Sequence, residues 1–177
     1  MCNFPKPRQD AGVTIHAIVA TDSTGLAAVR TLLREYAAFL LATLGPEPID
    51  IEKLEAELAQ LPGEYTPPYG ALLLATCDGI PAGCVSVRCI HVAEGQTVGE
   101  MRRMWVRPEF RGNSLGKALV DAAIQTAQQM GHPALYLDTV AEKVPAALHL
   151  YRSLGFQECP RYNNNPVPGL RFLRKEF

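Results

Sequence analysis

The sequence predicts an α/β domain in which a mixed central sheet of about seven strands is flanked by about four helices. Three observations predict it. The apolar spacing alternates along the chain between the three-to-four period of helices and the two-residue or continuous pattern of strands. Asp78-Gly79 lies between two apolar runs, the signature of a two-residue hairpin. A helix-period stretch also separates two strand-like ones, "TVGEMRRMWVR" (97–107) and "ALYLDTV" (134–140), which makes a crossover between parallel strands.

The elements follow in order. "VTIHAIVA" (13–20) reads as a short strand, and Asp22 offers an N-cap to a helix striped by Leu26, Val29, Leu33, Ala37, Leu40 and Leu44. Gly45 and Pro46 stop it. A second helix spans about 50–60 through Ile51, Leu54, Leu58 and Leu61, and the Pro and Gly of "LPGEYTPPYG" make a loop. "ALLLATC" and "AGCVSVRCI" form the hairpin arms, and 97–107 completes a meander. The next helix carries Leu115, Ala118, Leu119, Ala122, Ala123 and Met130 on one face and closes at Gly131. A buried strand follows at 134–140, then a helix over about 144–154 ending at Gly155, and strands near 156–159 and 170–176 around "PRYNNNPVPG".

With 177 residues and no shift in composition, residues 13–177 read as one domain behind a loose tail, 1–12. Lys+Arg 17 against Asp+Glu 18 leaves no basic footprint for nucleic acid or anionic membrane, so a small-molecule partner fits better. Five cysteines without a C-x-x-C pair read as reduced core residues. No stretch has the length of a membrane span and the start lacks a signal peptide's apolar segment, which predicts a cytoplasmic protein. No metal site is expected, and the oligomeric state stays open, a homodimer included.

The chemistry concentrates in "RPEFRGNSLGKAL" (107–119), an Arg, small residues and a Lys at the mouth of a helix. A helix start exposes unpaired N–H groups and partial positive charge, which suits either a phosphate or an ordinary tight connection. Together with the element order and "LYRSLGF" (150–156), this stretch resembles the GNAT superfamily of acetyl-CoA-dependent N-acetyltransferases over most of 13–177. The family's phosphate motif, Q/R-x-x-G-x-G/A, is matched by Arg111, Ser114 and Gly116, with Ser114 standing where Gly is usual. Pro145 stands where the family often has an asparagine; it suits a first helical turn but removes that contact to the cofactor.

The resemblance implies a GNAT acyl-CoA N-acyltransferase fold with acetyl-CoA as acetyl-donor cosubstrate. Its pyrophosphate would lie on the main chain of Gly112, Asn113, Ser114, Leu115, Gly116 and Lys117, with Arg111 and Lys117 supplying positive charge. The Ser114 hydroxyl is expected to cap the helix, with phosphate contact as the alternative. Main-chain groups of Met104, Trp105 and Val106, freed where the fourth and fifth strands splay, would hold the pantetheine arm and thioester. Tyr151 takes the position of the family's thiolate proton donor, or else is a core aromatic.

Glu100 is the candidate base: it lies six residues before Val106, an even spacing that puts both on one face at roughly 20 Å. The alternative is a structural ion pair with Arg102 or Arg88. Asp138 and His149 are weaker candidates. The acceptor pocket is expected to form from the first two helices and their connection, the 62–70 loop and "PRYNNNPVPG", with Tyr36, Phe39, Tyr65, Arg161 and Tyr162 lining it. The function implied is transfer of acetyl to a primary amine of a small or amino-acid-like acceptor; the alternative is a non-catalytic acyl-CoA-binding or sensing module on the same fold.

Overall fold

The computed structural model describes residues 12–45, 51–92 and 95–177. Within them the order is β1 (Val13–Ala17), α1 (Ser23–Leu44), α2 (Ile51–Gln60), β2 (Ala71–Cys77), β3 (Ile80–His91), β4 (Thr97–Val106), α3 (Leu115–Gln129), β5 (Ala134–Val140), α4 (Pro145–Ser153), β6 (Gln157–Glu158) and β7 (Leu170–Glu176). The element order is the expected one. Most of the tail, Pro46 and Cys2 lie outside the described residues.

Local chemistry explains the boundaries. The Asp22 carboxylate caps α1 by accepting from the Gly25 amide at 2.8 Å, and Gly45, at φ 83°, turns the chain out of it. Asp78 and Gly79, at φ 51° and 78°, make the tight turn between β2 and β3. Pro145 opens α4, where its missing N–H costs nothing. Cys77 and Cys84 are buried thiols, and Cys89 and Cys159 are half-buried ones, all reduced.

The sheet runs β1-β2-β3-β4-β5-β7-β6, with every neighbouring pair antiparallel except β4 and β5. Alternate residues feed two cores. Leu73, Ala75, Val85, Val87 and Met101 pack with Leu119, Val120 and Ala123 of α3. Leu72, Leu74, Cys84 and Trp105 pack with Leu26, Val29 and Leu33 of α1 and Leu54 and Leu58 of α2. The strands read as continuous apolar runs because both faces are covered. Burying a leucine such as Leu72 or Leu119 contributes about 1.5–3 kcal/mol.

Two irregularities in β4 place the site. First, β4 pairs with β5 only at Gly99–Leu135 and Glu100–Tyr136, so beyond Glu100 the two strands open into a gap. Second, Cys84 faces Trp105 while Ser86 faces Arg102, which leaves Arg103 and Met104 opposite Val85 alone. This is a β-bulge, and Arg103 at its centre is left-handed at φ 56°. No described helix is long and apolar enough to cross a membrane.

Candidate active site

A turn at Pro108–Phe110 carries β4 into α3, and Arg111 fixes it. Its Nε donates to the Val106 carbonyl at 3.0 Å, and its guanidinium stacks 4.8 Å from the Trp105 ring centre. Arg111 is thus an anchor for the loop as well as a source of charge. Lys117 meets Asp121 one turn on, at 2.5 Å.

Ser114 departs from expectation. It is the residue before the helix, but at φ 58° it is left-handed and its hydroxyl makes no capping bond. An N-cap is normally extended, the backbone state from which its side chain reaches the first free amides, and Ser114 is not in that state. The same backbone state explains why glycine suits this position. Among the described residues, the main-chain N–H groups of Gly112 to Lys117 have no hydrogen-bond acceptor, and the loop is exposed from Arg111 to Ser114. A run of free amides at a helix start, beside Gly116 with no Cβ, fits a diphosphate.

The gap lies between this loop and α4. The Trp105 carbonyl faces β3, so close that a Cβ on Gly83 would stand 2.6 Å from it. By alternation Met104 and Val106 turn their main chain toward the gap, and the Val106 carbonyl is held by Arg111. Tyr151 is buried, packs its ring on Phe156, and donates its hydroxyl to the Met104 sulfur at 3.4 Å. Burial, then the nearby Tyr36 and Asp138, push its pKa up, so the phenol stays protonated throughout the neutral range. A thioether is a weak acceptor that a stronger one can displace.

Glu100 is buried on the other face of the sheet, and here the sequence expectation fails. The bulge at Arg103 adds one residue to β4 and reverses its phase: Glu100 shares a face with Trp105 of the α1/α2 core, whereas Val106 belongs to the α3 core. The ion pair posed as its alternative role is present: Arg88 Nε donates to Glu100 Oε2 at 2.6 Å, with Arg102 Nε at 3.8 Å.

Asn163, from the loop before β7, adds a link that the sequence did not suggest. Its Nδ2 donates to Asp138 at 2.8 Å and to Glu100 at 3.3 Å, tying β4 to β5. Tyr162 lies alongside, wedged edge-on between Tyr136 and Phe172, with a buried hydroxyl that makes no hydrogen bond of ordinary geometry. Burial and the charges of Glu100 and Asp138 push its pKa up.

Next to Glu100 opens a cavity of about 400 Å³, lined in part by Lys53, Glu57, Glu64, Arg88, Arg102 and Arg103. Of the aromatic residues expected at the acceptor pocket, Tyr65 is on its wall. Its hydroxyl donates to Glu57 at 2.8 Å, and burial pushes its pKa up to about 12. Tyr36 and Phe39 pack on Trp105 instead, and Arg161 lies over Phe172. His149 is exposed on α4. The near-neutral total charge conceals this concentration of arginines, which come from two strands paired only in the fold.

The pattern of the acetyltransferase (GNAT) family matches residues 27–156, the span from α1 to the end of α4 and just beyond. The chain belongs to that family. As a GNAT protein it is an acetyl-CoA-dependent acetyltransferase. It is 37% identical over 130 residues to an uncharacterized N-acetyltransferase of Schizosaccharomyces pombe, covering 73% of this chain and 77% of that one. It is 36% identical over 118 residues to the N-acetylaspartate synthetase of Mus musculus, covering 66% of this chain but only 38% of that protein. An N-acetyltransferase from Thermoplasma acidophilum, solved in complex with coenzyme A, has the same fold at a TM-score of 0.66 and 17% identity, over 94% of this chain and 99% of that one.

In this GNAT chain the donor-side residues named from sequence come together around the α3 start and the strand gap. Glu100 and the cavity lie across the sheet from them. The sequence reading named the loop that carries Asn163 and the 62–70 segment on the cavity wall; it missed the Asn163 contacts and the three arginines, because these depend on pairing between residues far apart in the chain.

Proposed function

We propose that this protein moves acetyl from acetyl-CoA directly to the primary amine of a small, amino-acid-like acceptor, in the cytoplasm. The observation that carries the reading is the open gap between β4 and β5, with a buried phenol, Tyr151, on one side and a buried carboxylate, Glu100, on the other. Acetyl-CoA supplies the activated acyl group. The free amides of Gly112 to Lys117 hold its diphosphate, and main chain of Met104 and Val106 borders the arm that enters the gap. Tyr151 gives up its bond to Met104 and donates its proton to the departing thiolate.

An alkylammonium, with a pKa near 10.4 for a lysine-like amine, must lose a proton before it attacks. Glu100, directly or through water, accepts that proton. Arg88 already occupies Glu100 Oε2 at 2.6 Å, so the acceptor has to loosen that hydrogen bond for this oxygen to serve. The modest volume of the cavity, about 400 Å³, and the 36% identity to an N-acetylaspartate synthetase both support a small amino-acid-like acceptor.

The test is thiol release from acetyl-CoA with a panel of primary amines, for the native chain and Glu100→Gln. A general base predicts a 10²–10⁴-fold fall in kcat/KM at neutral pH, partly recovered in alkali as free amine accumulates. A lower melting temperature with an unaltered pH profile would reduce Glu100 to an ion-pair partner. Acyl-CoA binding with no transfer to any amine would favour the sensing-module alternative.

A further inference from the structure

The cavity beside Glu100 already holds a carboxylate, and it comes from the protein itself. Glu64 is on the loop between α2 and β2, with its side chain 48% exposed. It accepts from Arg88 Nη1 at 2.8 and 3.1 Å and lies 3.7 Å from Arg102 Nη1. An exposed pair of this kind contributes little to stability and is easily exchanged for another anion.

The three arginines of the cavity differ in how far they are engaged. Arg103 spends Nε and Nη2 on Glu57, at 3.0 and 2.5 Å, and is committed to holding the β4 bulge against α2. Arg88 divides itself between Glu100 and Glu64. Arg102 has side-chain contacts only at 3.5 Å or more: Tyr65 Oη at 3.5, Glu64 at 3.7 and Glu100 at 3.8 Å. A guanidinium offers five donors in a rigid fork suited to a carboxylate, and at Arg102 that fork is unfilled.

We infer, on the reading given under Proposed function, that the acceptor is an amino carboxylate, and that Arg102 with Arg88 binds its carboxylate in the place Glu64 now takes. The placement of charge fits both ends of such a molecule. Arg88 and Arg102 flank Glu100 on the same sheet face, so a carboxylate on the arginines brings an amine one or two carbons away toward the Glu100 carboxylate. The incoming carboxylate also draws Arg88 away from Glu100 and so frees the base. A carboxylate-free amine does neither. Arg102 is therefore a specificity-determining residue, and Glu64 a placeholder that keeps the arginines paired between turnovers.

The experiment uses the full chain with acetyl-CoA, the common α-amino acids, and ethylamine, propylamine and 1,4-diaminobutane as carboxylate-free probes. The best amino acid should exceed the best carboxylate-free amine by about 10²-fold or more in kcat/KM, the discrimination expected when a site built for a polar group finds it missing. Arg102→Gln should raise KM for that amino acid by roughly 10–10²-fold, leave KM for acetyl-CoA unchanged, and be partly rescued by Arg102→Lys. Glu64→Gln, at an exposed position that leaves the fold intact, should lower the same KM several-fold. Carboxylate-free amines accepted as well as amino acids, or Arg102→Gln affecting both alike, would overturn the inference and leave the acetyltransferase reading standing.

A binding arm separates the two failures. Succinate, aspartate and glutamate are titrated without acetyl-CoA while the melting temperature is followed. Stabilisation that vanishes in Arg102→Gln supports the carboxylate site even where no amine releases thiol, an outcome that would sink only the transfer reading. Absence of stabilisation in both the native chain and Glu64→Gln would overturn the site itself.

Discussion

The two faces of the central sheet solve different problems with different materials. On the α3/α4 side the candidate donor site is main chain: unpaired amides, a glycine without a Cβ, a left-handed serine and one buried phenol. On the α1/α2 side it is side chains, with Glu57, Glu64, Glu100 and Asp138 interleaved with Arg88, Arg102, Arg103 and Asn163. A main-chain site can accept one invariant ligand without specifying much sequence. A side-chain site can change its ligand by changing a few residues.

The sharpest way to break the contrast is at the bulge, where both faces meet. Arg103→Ala removes the guanidinium that holds Glu57, and both side chains are only 20% exposed. Leaving that carboxylate to the Tyr65 hydroxyl should cost about 1–3 kcal/mol, read by urea or thermal unfolding. The pH dependence has a definite sign. Burial opposes ionisation of Glu57, but the Arg103 hydrogen bond and charge outweigh it and hold its pKa below the usual carboxylate value. That stability is present above about pH 4.5 and is lost as pH falls through the lowered pKa; the acid limb should flatten in Arg103→Ala. An unaltered acid limb would show that the pair contributes nothing.

On the donor face the largest effect should come from bulk at Gly116. A Cβ there would meet only Met104 Cε at 3.5 Å and Leu150 Cδ2 at 3.6 Å, ordinary contacts, so Gly116→Ala should fold normally. Gly116→Trp should abolish the stabilisation CoA gives, about 2.7 kcal/mol at one hundred times Kd. A retained melting shift would move the diphosphate elsewhere. Tyr151→Phe is milder: it keeps the ring on Phe156 and removes only the hydroxyl, so kcat should fall roughly 10²-fold at constant CoA affinity. Unchanged turnover with chemistry rate-limiting would make Tyr151 a core aromatic.

The same contrast decides what is legible in the amino-acid sequence. The candidate donor side lies within one stretch, 104–117, and on Tyr151 in a helix with its own local motif, so a linear pattern can carry the proposal. The proposed acceptor side joins Glu64, Arg88, Glu100, Asp138 and Asn163 across five separate elements or loops, and no local pattern encodes that. Even the period-two argument for Glu100 and Val106 failed on one inserted residue. Nothing in "EMRRMWV" marks Arg103 as the bulge, because arginine has no preference for φ 56°; the Glu57 pair and the sheet register hold it there. By contrast Asp22, Asp78-Gly79 and Pro145 act through their own backbone chemistry and were legible.

The smallest predicted effect tests whether the donor loop is shaped by backbone alone. Ser114 adopts φ 58° with no hydrogen bond from its hydroxyl to compensate. A left-handed L-residue costs roughly 1–2 kcal/mol, whereas glycine loses about 0.4–1 kcal/mol more backbone entropy on folding. Strain relief exceeds the entropy loss, so Ser114→Gly should raise stability by about 0.5–1 kcal/mol and the melting temperature by a few degrees. CoA binding should persist, since the amides of Gly112 to Lys117 keep their geometry. Gained stability with weakened CoA binding would have one reading: the Ser114 hydroxyl, free in this structure, is a phosphate ligand, and the donor face also depends on a side chain.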